Sequence, residues 1–166
     1  MYLLDTQVVL ELRKAKAGDA DLGVQKWAAE VAPPKLFISA ITLLELENSV
    51  VRQERKDKTA GAALRAWLDD RVMKAFDGRV LALDAAVARR RGNVPLVNSR
   101  DALLAATALV HGLTLVTRDV VAFRSSRAKL FNPWGYAPEA VEEDAADWRA
   151  VAKGSPLWIK NLFLRF

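Results

Sequence analysis

Short apolar runs alternate along this chain with longer stretches whose apolar residues recur every three or four positions. Acids, Asn, Pro or Gly stand at most of the joins. The first pattern suits buried strands and the second suits helices packed on one side. Leu3–Asp5 is read as a strand, followed by a helix over Thr6–Lys14. Asp19 or Asp21 caps a second helix to about Val31, closed by Pro33-Pro34. Lys35–Ser39 is strand two. Two helices follow, over about Ala40–Lys58 and Thr59–Phe76. Asp77-Gly78 turns into strand three, Arg79–Leu83, and Asp84 opens a basic helix through Arg91. Asn98 or Ser99 caps an Ala-rich helix to His111, and Gly112 ends it. Leu113–Thr117 is strand four, Val120–Arg124 a short helix, and Lys129–Phe131 a fifth strand before Asn132-Pro133-Trp134.

Strands that alternate with helices predict a three-layer α/β/α sandwich around a parallel sheet of about five strands. The alternation covers residues 1–134, read as one domain. Residues 135–166 form a C-terminal extension of different character. Glu139–Asp147 is acidic, whereas Trp148, Leu157, Trp158, Ile159, Leu162, Phe163 and Phe166 are strongly apolar and must be covered by something.

Composition narrows the function classes. The chain has 166 residues, 52% of them hydrophobic and 27% charged, as in an ordinary globular protein. No apolar run reaches the ~18–20 residues of a membrane helix. The MYLLDT start has no positively charged leader region, so a cytoplasmic protein is expected. With no cysteine, disulfides, thiolate nucleophiles and zinc–thiolate sites are excluded. Residues 1–134 hold 21 basic and 15 acidic side chains, a net +6. A cationic rim around an acidic pocket suits a phosphodiester substrate; an ordinary basic surface accounts for the same numbers.

Four acids, Asp5, Glu45, Asp101 and Asp119, lie where an apolar run meets a helix or turn. A carboxylate beside so much Leu, Ile and Val is costly unless its charge is compensated. Parallel strands send their C-terminal ends to one edge, where sites form. Asp101 falls in a first helical turn, where the dipole favours its anion by roughly 0.3–1 kcal/mol. Glu45 shares a helix face with Ile41, Thr42, Asn48, Ser49 and Arg52. Glu47, on the face of Leu43, Leu44, Val50 and Val51, is expected to meet a buried Arg or an interface. Four carboxylates balance two divalent cations, which in pairs assist in-line phosphoryl displacement. Oxygen donors select Mg²⁺ or Mn²⁺ over softer metals. The pattern points to a metal-dependent nuclease whose acids come within metal-sharing distance.

The strings MYLLDTQVV, SAITLLELE, DALLAATALVHGLTLVTRD and FNPW resemble, in order, the motifs of PIN-domain ribonucleases, specifically the VapC toxins of type II toxin–antitoxin modules. The resemblance covers about residues 1–134. It implies a metal-dependent RNA endonuclease that cuts by a metal-activated water, with Asp5, Glu45, Asp101 and Asp119 as metal ligands and catalytic residues. Thr6 and Thr117 would support them. It also implies a homodimer, inhibition by a small antitoxin, and contact with operator DNA only through that antitoxin. Three positions depart from the family's usual pattern. Gln7 stands where Asn is usual, Asp119 where many members have Asn, and Ala122 where Asp is common.

Arg89, Arg90 and Arg91, with Arg100 near the acids, are candidate RNA-phosphate contacts or else a solvated helix face. His111, the only histidine, has no nucleophile motif to serve. Trp27 and Trp67 read as core or dimer residues, and there is no Gly-rich phosphate loop. A phosphatase using Asp5 as nucleophile would need an acid at position 7, and a receiver-like domain would need Lys where Arg118 stands. The remaining alternative is a PIN-fold binding module that acts with its antitoxin on operator DNA.

Overall fold

A computed structural model describes residues 1–15 and 18–137. Five short parallel strands form one sheet: β1 (Tyr2–Leu4), β2 (Leu36–Ser39), β3 (Val80–Leu81), β4 (Thr114–Val116) and β5 (Lys129–Phe131). Their spatial order is β3-β2-β1-β4-β5. Tyr2 pairs with Leu36 on one side and with Thr114 on the other, so β1 is central. The chain winds outward through β2 and β3, then returns to lay β4 against the other edge of β1. In doubly wound sheets that point of reversal opens a crevice at the strands' carboxyl ends.

Alternate strand residues face opposite layers, as the pleat requires. Leu4, Leu36, Ile38 and Val116 join one buried cluster with α1 (Thr6–Lys14), α2 (Leu22–Glu30), α3 (Ala40–Lys56) and α4 (Lys58–Trp67). Leu3 and Leu115 join another, with α6 (Ala85–Arg91), α7 (Ser99–Val110) and α8 (Val120–Phe123), beneath the partly buried Phe37, Leu81 and Leu130. The predicted three-layer sandwich with a five-stranded parallel sheet is the architecture observed. Asp21 rather than Asp19 caps α2, accepting from Val24 N at 3.1 Å. Asn98 caps α7, and Gly112 ends that helix with φ +62°.

Two expectations need correction. The helix expected over Thr59–Phe76 is not continuous: α4 gives way to a π-helical turn at Leu68–Val72 before the short α5 (Met73–Ala75). Leu64, Leu68, Val72 and Phe76 are all buried and recur every fourth residue. On an α-helix such a repeat drifts by about 40° per step; the wider turn keeps all four on the core side. Strand one ends at Leu4, not Asp5. Asp5 N still donates to Val116 O at 3.0 Å, but the Asp5 side chain caps α1 by accepting from Thr6 N at 2.6 Å.

The segment after β5 folds back over α2. Asn132 Oδ1 accepts from Trp134 N at 2.9 Å, and Tyr136 donates to Glu30 Oε2 at 2.7 Å. A row of rings, Tyr2, Trp27, Phe131 and Tyr136, with centroids 5.4–6.1 Å apart, seats it. Trp27 is therefore a core residue, and Trp67 lies against the same cluster. The expectations for the acidic stretch Glu139–Asp147 and for Trp148 to Phe166 lie outside the described residues.

Candidate active site

Asp5 stands at the crevice floor, at the junction of β1 and α1, with 8% of its surface exposed. Its Oδ1 accepts from Thr6 N, and its Oδ2 accepts from the Thr117 hydroxyl at 2.8 Å. Burial pushes this carboxyl above its ordinary range. The Thr117 and Thr6 hydrogen bonds pull it back, and the charges of Glu45 and Asp101 push it up further. Thr117, fully buried at the end of β4, also accepts from Asp119 N at 3.2 Å. One hydroxyl thus ties Asp5 to the loop that carries Asp119. Asp119 itself caps α8, accepting from Ala122 N at 3.0 Å.

Glu45 reaches the crevice from the second turn of α3. Ser39 caps that helix by accepting from Thr42 N at 3.0 Å, and the Thr42 hydroxyl donates to Leu4 O at 3.1 Å. This buried pair clamps α3 to the end of β1 and sets the direction of Glu45. Sequence reading missed the clamp, although a Ser closing a strand with a polar residue three positions on is a helix-start signature. Glu45 Oε2 accepts from the Thr6 hydroxyl, and its Oε1 accepts from Arg100 Nη1 at 3.0 Å. Arg100 therefore faces a carboxylate here, a pairing the sequence did not suggest.

Asp101 lies in the first turn of α7, whose cap Asn98 accepts from Arg100 N at 2.9 Å and Asp101 N at 3.3 Å. Burial again raises the carboxyl most, with Glu45 and Asp119 adding to it and Arg100 opposing. The four acids thus interact electrostatically from four separate elements. As the side chains stand, no three acids among the described residues come close enough to hold an ion together. Glu45 is turned to Thr6 and Arg100, and Asp119 to its helix cap. The donor set nonetheless suits a hard divalent cation, because it is all carboxylate oxygen and two of its members, Asp5 and Asp101, are disfavoured as anions by burial first and by the neighbouring acids second.

Gln7 is exposed, and Ala122 lends its backbone N–H to Asp119. Glu47 pairs with Arg65 at 2.5 Å; that Arg is one-third exposed, not buried as expected. His111 ends α7 ten residues beyond Asp101, about 15 Å along the helix axis, too far to share a reaction centre. Arg89 and Arg90 are exposed on α6, while Arg91 donates to Leu96 O at 3.5 Å.

The chain matches the family model of the PIN domain over residues 2–125. It is similar to the VapC ribonuclease Y4jK of Sinorhizobium fredii, 30% identical over 142 residues, which cover 81% of this chain and 98% of that protein. It is equally similar to the toxin FitB of Neisseria gonorrhoeae, 30% identical over 142 residues, covering 81% and 99%. Among solved structures it resembles FitAcB from Neisseria gonorrhoeae with a TM-score of 0.73, 29% identity and the same coverage of 81% and 99%. No described helix is long and apolar enough to cross a membrane.

Proposed function

This chain belongs to the PIN-domain family, and from that we propose that it is a metal-dependent endoribonuclease, the toxin of a toxin–antitoxin pair. The names of its relatives support the ribonuclease and toxin parts. The observation that carries the chemistry is the crevice where β1 meets β4. There the Asp5 and Asp101 carboxyls are raised by burial and, in part, by acids from other elements. Asp5, Glu45, Asp101 and Asp119 would hold Mg²⁺ or Mn²⁺. A cation bound there supplies the Lewis acidity that draws charge from the phosphodiester and eases ionisation of an attacking water.

The remaining steps fall to the chain's own residues. Thr117 keeps Asp5 oriented and ionisable through its hydroxyl. The Thr6 hydroxyl holds Glu45 in place by donating to its Oε2. Arg100 supplies a counter-charge at the mouth of the crevice, where an RNA phosphate would arrive. The antitoxin inhibits by presenting an Arg or Lys to the same carboxylates, since guanidinium binds carboxylate bidentately. A homodimer is the expected assembly.

The test is cleavage of RNA by the purified chain without its antitoxin, with Mg²⁺, Mn²⁺ or EDTA, followed by mapping of the cut ends. Cleavage requires the cation and falls at least about a hundredfold in Asp5→Asn and Asp101→Asn, more than the loss of a residue supporting a ligand. Full activity in EDTA, or in either variant, refutes the mechanism.

A further inference from the structure

The charge of this domain is one-sided. Residues 1–84 hold 13 basic and 13 acidic side chains, whereas residues 85–134 hold 8 basic and only 2 acidic ones, Asp101 and Asp119. The entire excess of +6 therefore belongs to the part of the chain that builds α6, α7, α8, β4 and β5. Arg89, Arg90, Arg124, Arg127 and Lys129 are all exposed. None of them forms an ion pair among the described residues. Soluble surfaces ordinarily intersperse both signs, and a single-sign field costs self-repulsion unless something of opposite charge uses it.

Arg127 lines a cleft of about 450 Å³ together with Gly92, Asn93, Val94 and Pro95, and Arg124 and Lys129 lie within three residues of Arg127 in the chain. The first wall of the cleft continues α6: Gly92 N donates to Arg89 O at 3.2 Å and Asn93 N to Arg90 O at 3.0 Å, so the helical winding that carries the two arginines runs straight into it. Across from it is the helical turn Arg124–Ser126, tied to the first wall by Ser125 Oγ donating to Pro95 O at 3.3 Å. Arg127 follows with φ +64°, the sole non-glycine residue with positive φ among the described residues. Gly or Asn would take that conformation at lower cost, so local backbone preference does not explain an arginine there.

The cleft is close to the candidate active site. Asp101 lies six positions after Pro95, at most ~20 Å of chain, and Asn98 between them caps the helix that carries Asp101. The lining offers one guanidinium, one amide and two small apolar side chains. That can hold phosphate and ribose and has too few directed groups to read a base edge.

We infer that the face built by α6, the Arg124–Ser126 turn and β5 is a track for the phosphate–ribose backbone of the RNA strand, running away from the cut site, with Arg127 as its anchor in the cleft. The inference rests on the ribonuclease reading above and extends it to residues outside the acid cluster.

Arg127→Gly is the informative variant, because it removes the cation while relieving the left-handed backbone. Single-stranded RNAs of about 4 and about 20 nucleotides, below and above most single-strand site sizes, are titrated in EDTA across a salt series. The longer RNA binds Arg127→Gly about fivefold more weakly at low salt, as expected for one lost charge-assisted contact. Its log–log salt slope moves toward zero by about 0.7, and the short RNA shifts far less. Adding Lys129→Gln deepens the loss. If the longer RNA binds Arg127→Gly within twofold of the unsubstituted chain and with the same slope, the track is refuted while cleavage stands. Tighter Arg127-dependent binding of duplex DNA than of RNA also refutes it. An unsubstituted chain that neither binds nor cuts RNA removes the ribonuclease reading and the track together.

Discussion

Replacing Thr117 by Val tests the central joint of the site, because it removes one hydroxyl and leaves side-chain volume nearly unchanged. Thr117 is fully buried, and its hydroxyl makes two bonds, to Asp5 Oδ2 at 2.8 Å and from Asp119 N at 3.2 Å. A hydrogen bond to a charged group contributes about 1.5–3 kcal/mol, and the second bond, to a loop amide, adds up to about 1. The expected loss is about 2–3 kcal/mol, a fall in Tm of roughly 5–10 °C for a chain of this size. The loss has a pH signature. The Thr117 bond is the strongest of the contacts holding the Asp5 carboxyl down against burial, so Val lets it rise further. A native carboxyl raised above its unfolded value of 3.8 binds extra protons in the folded state, and stability then falls as pH rises through that window. The deficit of Thr117→Val is therefore smallest near pH 4 and grows toward neutrality. Thr117→Ser keeps the hydroxyl, loses about 1 kcal/mol for its methyl group, and keeps the parent pH dependence. Urea unfolding in EDTA between pH 4 and 8 reads all three proteins. A Val variant as stable as the parent, or a deficit flat across pH, refutes the role given to this hydroxyl.

Asp5→Asn, measured the same way in EDTA, is at least as stable as the parent at pH 7, because a disfavoured buried anion is gone while Asn still caps α1; the advantage shrinks as pH falls toward 4, and a destabilised variant at neutral pH contradicts the electrostatic account. Gly23→Ala places a Cβ 2.5 Å from Tyr136 N, 2.6 Å from Pro133 O and 2.7 Å from Gly135 N, all backbone that cannot swing aside. It costs about 1–3 kcal/mol, and an unchanged thermal midpoint shows that the segment after β5 does not rest on α2. Arg100→Gln removes the counter-charge from Glu45, so added Mn²⁺ raises the thermal midpoint of this variant more than that of the parent; equal shifts remove Arg100 from the electrostatics of the site.

Much of this architecture is local and could be read from the sequence. Helix starts are marked by Asp5, Asp21, Asp84, Asn98 and Asp119 because a short acceptor side chain satisfies first-turn amides wherever it occurs. The buried strands announce themselves as apolar runs, and the four acids stand out because each interrupts or ends such a run. Other features depended on which distant segments become neighbours. The return of β4 to the edge of β1 joins Thr117 to Asp5 across 112 positions. The packing of α7 beside α3 gives Glu45 its Arg100 partner across 55. The π-helical turn at Leu68–Val72 and the partly exposed setting of the Glu47–Arg65 pair belong to the same class. Capping and periodicity act over a few residues and constrain local dihedrals. Strand order and side-chain partnership are settled by burying whole faces against the entropy of closing long loops, and only the folded chain as a whole decides that balance.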